Sequence, residues 1–313
     1  MKIAVVMDPI SKINFKKDST LLLLQEAQNR NHSIFYIEPQ DLFFKGNIPS
    51  ALCSDISVQM NPEKWFDLKN IKELPLIDMD VILMRQDPPF DMEYVVNTYI
   101  LEAAEKQGVR VINKPSSLRS FNEKIAILEY LEFCTKTIVS SNEEVIIDFI
   151  KKNQKVVLKP LNLMGGQGVI KLNFNDSKLK EAIDISTEHF KQKVMVQAFI
   201  DRVYEGDRRI LIINGKASEF AVVRTPAKGE FRGNLAAGGI ATTEPLNKRD
   251  KEIAEFLGED LVAKGVSIAG IDIVGGFLTE INITCPTCFR ELQDQQGINL
   301  TANLFDYIES INK

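Results

Sequence analysis

The chain has 313 residues, of which 44% are hydrophobic and 26% are charged, a composition typical of a folded globular protein. Its length predicts two or three domains. The formal net charge is −5, from 38 lysines and arginines against 43 aspartates and glutamates. Because this balance provides no basic surface and no apolar run reaches transmembrane length, we expect small-molecule partners, with no nucleic acid and no membrane.

The first part of the chain alternates predicted strands with predicted helices. Strands are predicted at residues 2–7, 33–37, 80–85 and 109–112, and helices at residues 20–29 and 94–107. This alternation predicts an α/β fold with a doubly wound parallel sheet. Such a sheet binds ligands beyond the carboxyl ends of its strands, where Asp8, Arg85 and Asn113 lie in the sequence.

The pattern changes after residue 118, where we place a domain boundary. Helices are then predicted at residues 122–133, 142–152 and 179–189, and strands at residues 155–159, 169–172 and 194–199. Two further strands, at residues 209–213 and 217–224, flank Asn214-Gly215, a dipeptide typical of a two-residue hairpin turn. Residues 225–239 are rich in glycine and contain no predicted element, a feature typical of mobile covers over active sites.

Residues 270–290 hold the most informative pattern in the chain. Glu280 and Asn282 are two residues apart on a predicted strand, so both side chains point to the same face. A three-residue hairpin loop over residues 275–277 places Asp272 opposite Glu280, whereas a two-residue loop would break that match. Carboxylate and amide oxygens, with no histidine or thiol among them, suit a hard cation such as Mg²⁺, which proteins usually hold together with phosphates.

Several cations and a glycine-rich loop accompany this cluster. Lys159 ends an apolar strand, Lys124 lies near the start of a predicted helix, and Arg209 and Arg232 follow later in the chain. Taken singly, each charge has an alternative interpretation as a solvated side chain, and the loop of residues 164–168 as a plain hairpin turn. That loop matches neither the phosphate-loop pattern nor the Rossmann fingerprint. Together, the cations and the carboxylates predict triphosphate chemistry.

The four cysteines are Cys53, Cys134, Cys285 and Cys288. They are too few and too unevenly spaced for a disulfide scaffold, so we expect a reducing, cytoplasmic setting. The spacing of Cys285 and Cys288 permits a redox interpretation. We do not favour it, because the pair directly follows the predicted metal-binding strand instead of starting a helix in a thioredoxin-like unit.

Several strings of residues carry a resemblance to a known family. They are Val6-Met7-Asp8-Pro9-Ile10, Asn122-Glu123-Lys124, Met164-Gly165-Gly166, residues 232–239, Thr279-Glu280-Ile281-Asn282 and Pro286-Thr287-Cys288. On these strings the chain resembles the bacterial glutathione synthetases, a family of ATP-grasp ligases, over almost its whole length. The resemblance implies an ATP-grasp fold with an N-terminal substrate domain at residues 1–118, a nucleotide lid domain at 119–200 and a catalytic domain at 201–313.

The resemblance also implies an activity. ATP phosphorylates the cysteinyl carboxylate of γ-glutamylcysteine, and the amine of glycine then attacks the acyl phosphate to make glutathione. Members of this family are expected to use two Mg²⁺ or Mn²⁺ ions and to form a cytoplasmic homo-oligomer, either a dimer or a tetramer.

The resemblance further implies a role for each site residue. ATP binding falls to Lys124, Lys159, Gly165, Gly166, Gln197, Ala198, Phe199, Ile200 and Asp207. Metal binding falls to Asp272, Glu280 and Asn282, substrate binding to Arg85, Asn282 and Arg290, and catalysis to Arg209, Arg232 and Asn234. The chain departs from the family pattern at Asn162-Leu163 before the phosphate loop, at Cys285 where serine is usual, and at Ile240 where arginine is expected.

Two alternatives stay open on the sequence. A ligase of the same fold that joins glutamate to another acceptor would keep Lys124, Lys159 and Glu280 but would not need Arg85 or residues 288–290. A regulatory protein that binds a nucleotide would keep the fold without ligation, although the intact set of metal-binding residues argues against it.

Overall fold

The computed structural model describes residues 1–233 and 238–312. Three β-sheets, each formed by a different part of the sequence, organise these residues. None of the helices in the described ranges combines the length and the apolar character that crossing a bilayer requires.

The first sheet has seven strands and follows the predicted α/β pattern only in part. Its strands are β1 (Lys2–Met7), β2 (Ser33–Ile37), β3 (Leu42–Lys45), β4 (Ile48–Val58), β5 (Phe66–Pro75), β6 (Val81–Arg85) and β7 (Arg110–Ile112). The order is β3-β4-β2-β1-β6-β7, with β5 paired to β4. Strands β2, β1, β6 and β7 are parallel, which confirms the prediction, whereas β3, β4 and β5 are antiparallel and were not predicted.

Helices cover both faces of the parallel strands, so the sheet is doubly wound as predicted. On one face, Ile3 and Val5 share a core with helix α1 (Ser19–Asn29), and on the other face Ala4 and Val6 share a core with helix α2 (Met92–Lys106). Asp18 and Asp91 cap the two helices by accepting hydrogen bonds from Leu21 N and Tyr94 N. A short helix, α3 (Pro115–Ser120), follows β7.

The side chain of Asn113, which directly follows β7, links the first sheet to the third sheet by hydrogen bonds. Its Nδ2 donates to the carbonyls of Ile268 and Ile283, at 2.7 and 2.8 Å, and its Oδ1 accepts from the amides of Ser267 and Ile268. The side chain is buried. Its donors and its acceptor are thus occupied by backbone groups, so Asn113 is structural and does not face a ligand as its position at a strand end suggested.

The second sheet is antiparallel and has its own core. Its strands β8 (Thr137–Ser140), β9 (Lys155–Pro160), β10 (Ile170–Asn173) and β11 (Val194–Ala198) lie in the order β10-β9-β11-β8. Helices α4 (Glu143–Asn153) and α5 (Leu179–Ser186) pack on one face through residues such as Ile150 and Ile183. Asn142 caps α4 as predicted, whereas α5 ends three residues earlier than predicted.

The prediction of an α-helix at residues 122–133 was wrong. Residues Ile125–Phe133 form a 3₁₀ segment that is interrupted at Tyr130, whose φ and ψ are −127° and 48°. Tyr130 and Phe133 are buried and pack edge-on against Phe256, which lies on a helix beside the third sheet. These tertiary contacts override the local helical preference of the segment.

The third sheet carries most of the candidate site. Its strands β12 (Asp207–Ile213), β13 (Lys216–Ala217), β14 (Phe220–Thr225), β15 (Ile240–Pro245), β16 (Ile268–Val274) and β17 (Phe277–Asn282) lie in the order β15-β14-β12-β16-β17, with β13 paired to β12. The Asn214-Gly215 hairpin is confirmed, because Ile213 pairs with Lys216. The single strand predicted at 217–224 is two strands, since Ser218 bends the chain and its amide donates to Leu211 O.

Three helices that the sequence analysis did not predict pack against the third sheet. They are α6 (Lys248–Ala263), α7 (Phe289–Gln296) and α8 (Leu300–Ile311). Helix α6 begins with a reciprocal capping box between Asn247 and Asp250. Helix α7 follows directly from the Cys285–Cys288 segment, so it holds that segment against the sheet.

Candidate active site

The hairpin β16–β17 has a two-residue loop, not the three-residue loop predicted. Val274 pairs with Phe277, which leaves Gly275 and Gly276 as the turn. Both glycines have positive φ, at 57° and 88°, a conformation that side-chain-bearing residues rarely adopt.

Asp272 nevertheless lies opposite Glu280, as predicted. The register shifts between Asp272 and Ile273, so that Thr279 is the extra residue of a β-bulge. The Thr279 hydroxyl donates to Asp272 O at 3.1 Å. The bulge therefore compensates for the shorter loop and keeps both carboxylates on one face.

A row of charged residues crosses the sheet at this level. Arg209 on β12 lies opposite Asp272 on β16, which in turn lies opposite Glu280 on β17. The Arg209 guanidinium forms a two-point ion pair with Asp272, through Nε and through Nη2 at 2.9 Å. Gly270 leaves room for this arginine, because a Cβ there would lie 3.0 Å from Arg209 Cδ.

Arg224 on β14 is a second buried arginine; it lies opposite Asp207, two residues along β12 from Arg209. Its Nη2 lies 2.9 Å from Asp272 Oδ2 and also bonds to Asp207 Oδ2. Burial raises the pKa of the Asp272 carboxyl, but Arg209 and Arg224 together outweigh burial and hold the pKa well below its usual range. Asp272 therefore stays ionised, with its oxygens occupied by guanidinium groups.

Glu280 and Asn282 have side-chain oxygens without an ion-pair or hydrogen-bond partner among the described residues, whereas arginines occupy both oxygens of Asp272. Among the described residues, no cation pairs with Glu280, and the Asn282 amide donates to Gly270 O at 3.3 Å while its Oδ1 accepts nothing. These two oxygens fit a hard cation. Asp272 fits only when an arginine releases one of its oxygens. In the part of the chain that the structure describes, no three histidine, cysteine, aspartate or glutamate side chains converge as a metal centre.

A cleft on one side of Glu280 has the shape and lining of a nucleotide site. Its walls come from the second and third sheets and include Val157, Lys159, Gly166, Val169, Gln197, Ala198, Phe199, Ile200, Val203, Asp207, Phe231, Arg232, Val274 and Glu280. The far end is apolar and aromatic, and the end near Glu280 is charged. This polarity matches a molecule with a flat apolar base and an anionic tail.

Lys159 is a buried cation that forms no ion pair with any residue that the structure describes. It is 9% exposed, and its Nζ lies 3.5 Å from Thr279 O. Burial lowers the pKa of its ammonium group, and the nearby Glu280 carboxylate opposes that fall. A phosphate would supply the anion that a buried lysine needs.

Lys124, which was predicted to bind ATP, contacts the segment before the glycine loop and is not among the residues that line this cleft. Lys124 is buried, and its Nζ donates to the Glu123 carboxylate and to Leu163 O at 2.6 Å. Gly165 and Gly166 have φ of 64° and 78°. Gly166 lines the nucleotide cleft and Gly165 lines the neighbouring one, so the loop separates the two clefts.

The segment Gln197–Ile200, which was predicted to contact adenine, lines this cleft. The amides of Ala198 and Phe199 donate to Lys136 O and Lys155 O, so they are not free. The Ile200 amide has no backbone acceptor among the described residues and is the donor that remains. The Phe199 ring lies 6.2 Å from that of Phe231, which gives this end of the cleft an aromatic wall.

Asp207 and Arg232 also line the first cleft. Asp207 Oδ1 is buried and has no hydrogen-bond partner among the described residues, so it is an acceptor available to a hydroxyl group. Arg232 donates to Gly166 O at 3.3 Å and pairs with Glu230. It thus contacts the glycine loop, on the nucleotide side of Glu280. Asn234, the other residue predicted in this segment, lies outside the described residues.

A second cleft adjoins the first and shares Glu280 with it. Its lining includes Asp87, Glu123, Gly165, Arg209, Arg224, Glu280, Asn282, Cys285, Thr287 and Cys288. Two buried arginines and the free oxygens of Glu280 and Asn282 thus face one volume. An acidic substrate in this cleft would lie next to the phosphate end of a nucleotide in the other.

Arg85 and Arg290 do not line the second cleft. Arg85 is buried and donates to Thr20 Oγ1 at 3.1 Å and to Pro286 O at 2.9 Å. Arg290 donates to Phe15 O at 2.9 Å and stacks on the Phe15 ring. Both nevertheless carry a buried nitrogen, Arg85 Nη1 and Arg290 Nε, that has no partner among the described residues.

Cys285 and Cys288 lie at the cleft wall. Cys288 is buried with φ of 83° and immediately precedes α7, so the pair does lie at the start of a helix, contrary to the prediction from the sequence. Burial raises the pKa of both thiols, which lowers the fraction of reactive thiolate. This environment favours the structural interpretation over the redox one.

Arg224 and Glu123 are site residues that the sequence analysis did not assign. Arg224 follows the apolar run Ala221-Val222-Val223, the same signal of a charge ending a buried strand that identified Lys159. Glu123 was quoted only as part of a string that carried the resemblance. Its place beside Glu280 depends on tertiary packing that no local pattern reports.

Comparison with protein families identifies the chain. The N-terminal domain of prokaryotic glutathione synthetase matches residues 1–119, and the ATP-grasp domain of the same enzyme matches residues 123–297. The chain belongs to the prokaryotic glutathione synthetase family. Its members include the glutathione synthetases of Nitrosomonas europaea, 40% identical over 312 residues, and Shewanella oneidensis, 42% identical over 310 residues. Each alignment covers 99% of this chain and 98% of the relative.

Solved structures of other ligases share the fold of this family member. D-cycloserine synthetase DcsG superposes with a TM-score of 0.66 at 10% identity, over 98% of this chain and 100% of that one. D-alanyl-alanine synthetase A from Vibrio cholerae gives 0.62 at 15% identity, over 100% of this chain and 98% of that one. At such low identity the likeness concerns the fold alone, and the fold is that of ATP-grasp ligases, as predicted.

Proposed function

We propose that this protein is an ATP-dependent ligase that joins glycine to γ-glutamylcysteine and releases glutathione, ADP and phosphate. One observation carries the proposal: Glu280 lines both clefts, the nucleotide cleft with Lys159 and the second cleft with Arg209. A phosphoryl group can therefore pass from a nucleotide in the first cleft to an acid in the second cleft while it stays close to Glu280. Membership of the glutathione synthetase family supports the same activity.

The chemistry proceeds in two steps. A carboxylate is a poor electrophile, so its oxygen first attacks the γ-phosphorus of ATP, ADP leaves, and an acyl phosphate forms. The ammonium group of glycine then loses a proton to solvent, the free amine attacks the acyl carbon, phosphate leaves with the electron pair of its C–O bond, and the second proton passes from the nitrogen to that phosphate. Arg209 and Arg224 line the cleft where negative charge develops, and preorganised cations of this kind stabilise such transition states.

The nucleotide would be bound along the first cleft. Lys159 and Gly166, which line this cleft, would contact its phosphates. The same role for Lys124 and for Gly165, which lines the neighbouring cleft, is proposed on the family resemblance. The segment Gln197–Ile200 would contact adenine, with the Ile200 amide as donor. Asp207, whose Oδ1 is unpartnered among the described residues, would accept from a ribose hydroxyl.

Divalent cations, Mg²⁺ or Mn²⁺ and two in number, would be held by Glu280 and Asn282, with Asp272 joining once an arginine releases it. Such ions would neutralise phosphate charge when bound. The residues of this chain contribute a fixed ligand face, since Glu280 and Asn282 lie two residues apart on β17 and Thr279 sets their register.

The remaining substrate contacts are proposed on the family resemblance. Arg85 and Arg290 would orient γ-glutamylcysteine, and each has a buried unpartnered nitrogen among the described residues that a substrate carboxylate could use. Arg85 also holds Pro286, and hence the cysteine segment, through its backbone bond. Arg232 and Asn234 would act on the intermediate.

The division of the chain and its setting are also proposals. We place the domains at residues 1–118, 119–200 and 201–313, because each of the three sheets falls within one range. A homo-oligomer in the cytoplasm, dimer or tetramer, is proposed on the family resemblance.

An ADP-release assay tests the function directly. We expect ADP only when ATP, Mg²⁺, γ-glutamylcysteine and glycine are all present, with glutathione formed in equal amount. ADP release that requires a different acid or amine would identify a ligase with another acceptor. ATP binding with no turnover under any combination would identify a regulatory protein instead.

A further inference from the structure

The charged groups at the site balance, and one of them has no role in the proposed function. Apart from the half-buried Arg232 and the exposed Asp87, the site has four buried cations, Lys124, Lys159, Arg209 and Arg224, and four carboxylates that are buried or half-buried, Glu123, Asp207, Asp272 and Glu280. The arginines hold Asp272 and Asp207, and Glu280 is a metal ligand in the proposal. Glu123 is the carboxylate that remains.

Glu123 is placed rigidly beside the reacting groups. Its carbonyl accepts from the Ile281 amide at 2.8 Å, which fixes its backbone next to Glu280 and Asn282 on β17. Its side chain is 18% exposed and lines the second cleft, which Arg209 also lines. The carboxylate thus faces the cleft in which the acyl phosphate would form.

The bonding of Glu123 leaves it dependent on a single cation. Oε1 accepts from Lys124 Nζ, and Oε2 has no hydrogen-bond partner among the described residues. Lys124 is also a phosphate ligand in the proposed function. When its ammonium turns to a nucleotide, Glu123 becomes a largely buried carboxylate without its cation, an arrangement that strongly favours binding another cation in its place.

We propose that Glu123 binds the ammonium group of the incoming amino acid, glycine. This inference rests on the proposed function and deepens it by assigning the site of the second substrate. An amino acid reaches the site as a zwitterion, and among the described carboxylates of the second cleft Glu123 alone is both largely buried and free of arginine and proposed metal contacts. Asp87, which lines the same cleft, is exposed and solvated.

The inference also links the two ligands. A nucleotide that draws Lys124 away leaves Glu123 ready for an ammonium group, and the bound ammonium in turn removes the attraction that holds Lys124. Nucleotide and glycine therefore favour each other's binding, because coupling between two sites is reciprocal.

Replacing Glu123 by glutamine tests the assignment. Glu123→Gln keeps the shape of the side chain and an oxygen that can accept from Lys124, but removes the negative charge. We expect the KM for glycine to rise about tenfold or more, as for loss of a charge-assisted contact, with the KM for γ-glutamylcysteine within about twofold of wild type and the KM for ATP no higher than that of wild type, because Lys124 is released. Glu132→Gln, at an exposed position of the same segment, should change none of the three.

A neutral nucleophile separates binding of the ammonium group from a merely structural role. Hydroxylamine is largely uncharged near neutral pH and converts an acyl phosphate to a hydroxamate, with phosphate leaving. The variant should form hydroxamate within about threefold of the wild-type rate, because hydroxylamine needs no ammonium contact.

Three results would overturn the inference. One is an unchanged KM for glycine, and another is a rise in the KM for γ-glutamylcysteine instead. The third is an equal fall with glycine and with hydroxylamine, which would mean that Glu123 serves only to hold Lys124 or the fold. If the wild-type protein itself shows no glycine-dependent ADP release, it is the proposed function that fails.

Discussion

Arg224 Nη2 and Asp272 Oδ2 lie 2.9 Å apart in an ion pair whose two side chains are almost completely excluded from water. Arg224 also holds Asp207, so it connects the first cleft to the face of the hairpin that carries Glu280 and Asn282. Removing a guanidinium from such a pair leaves buried negative charge without compensation.

Arg224→Met should therefore destabilise the fold as well as impair turnover. We expect the free energy of unfolding to fall by about 3 kcal/mol, the typical effect of removing one partner from a buried ion pair. Urea denaturation followed by circular dichroism measures it. Arg202→Met, which breaks an exposed pair with Glu205, is the matched control and should leave the midpoint unchanged. Equal midpoints for both variants would contradict the interpretation of the buried pair.

Glu280→Gln and Asn282→Ala should nearly abolish glycine-dependent ADP release while the protein stays folded. Each change removes an oxygen that has no competing cation among the described residues, and the loss of such ligands typically lowers activity by about a hundredfold. Steady-state assays at saturating Mg²⁺ measure the effect. Glu255→Gln, at an exposed position of α6, is the control. Near-normal turnover in either site variant would refute the metal assignment.

The cysteines should alkylate slowly in the folded protein at pH 8. Burial raises the pKa of Cys53 to about 12 and that of Cys134 to about 11, and it raises the pKa of Cys285 and Cys288 as well. The thiolate is the reactive form, so a raised pKa lowers its fraction at pH 8 and makes the rate climb as the pH increases.

Iodoacetamide labelling followed by peptide mass analysis measures these rates. The protein unfolded in urea is the control, and all four thiols should react there at the rate of free cysteine. A rate at Cys285 or Cys288 that levels off below pH 8 in the folded protein would revive the redox interpretation.

Asn113→Ala should weaken the attachment between the first and third sheets. The change leaves two buried amides and two buried carbonyls without their side-chain partners, and unsatisfied groups of this kind lower stability by about 1–3 kcal/mol each before the structure relaxes. We expect a total loss of about 3 kcal/mol in chemical denaturation. Asn303→Ala, exposed on α8, should change the stability little. A loss no greater than that of the control would show that Asn113 is not an anchor.

Elements with a strong local signal were predictable from the sequence. Strands such as β1 and β11 are apolar runs with clear ends, and Asp18 and Asn142 are residues typical of helix caps. The opposition of Asp272 and Glu280 was also predicted correctly, although the loop length on which that prediction rested was wrong, because a bulge cannot be read from strand alternation.

Features that depend on tertiary contacts were not predictable. Strand β5 is mostly exposed, so it lacks the alternation that identifies a half-buried strand. The segment Ile125–Phe133 is apolar enough for a helix, but its packing on Phe256 selects another backbone path. The partners of Arg224 come from strands far apart in sequence, and only the register of the third sheet brings them together.

The extra residue at Thr279 means that the tip and the functional face of the hairpin are specified independently. A longer turn can therefore be inserted between Val274 and Phe277 while Glu280 stays opposite Asp272, because the pairs on either side of the bulge do not depend on the number of residues in the turn. Insertion scanning across residues 274–282 should accordingly find that activity survives an added residue in the turn but is lost when a residue separates Glu280 from Asn282, which would send the two side chains to opposite faces.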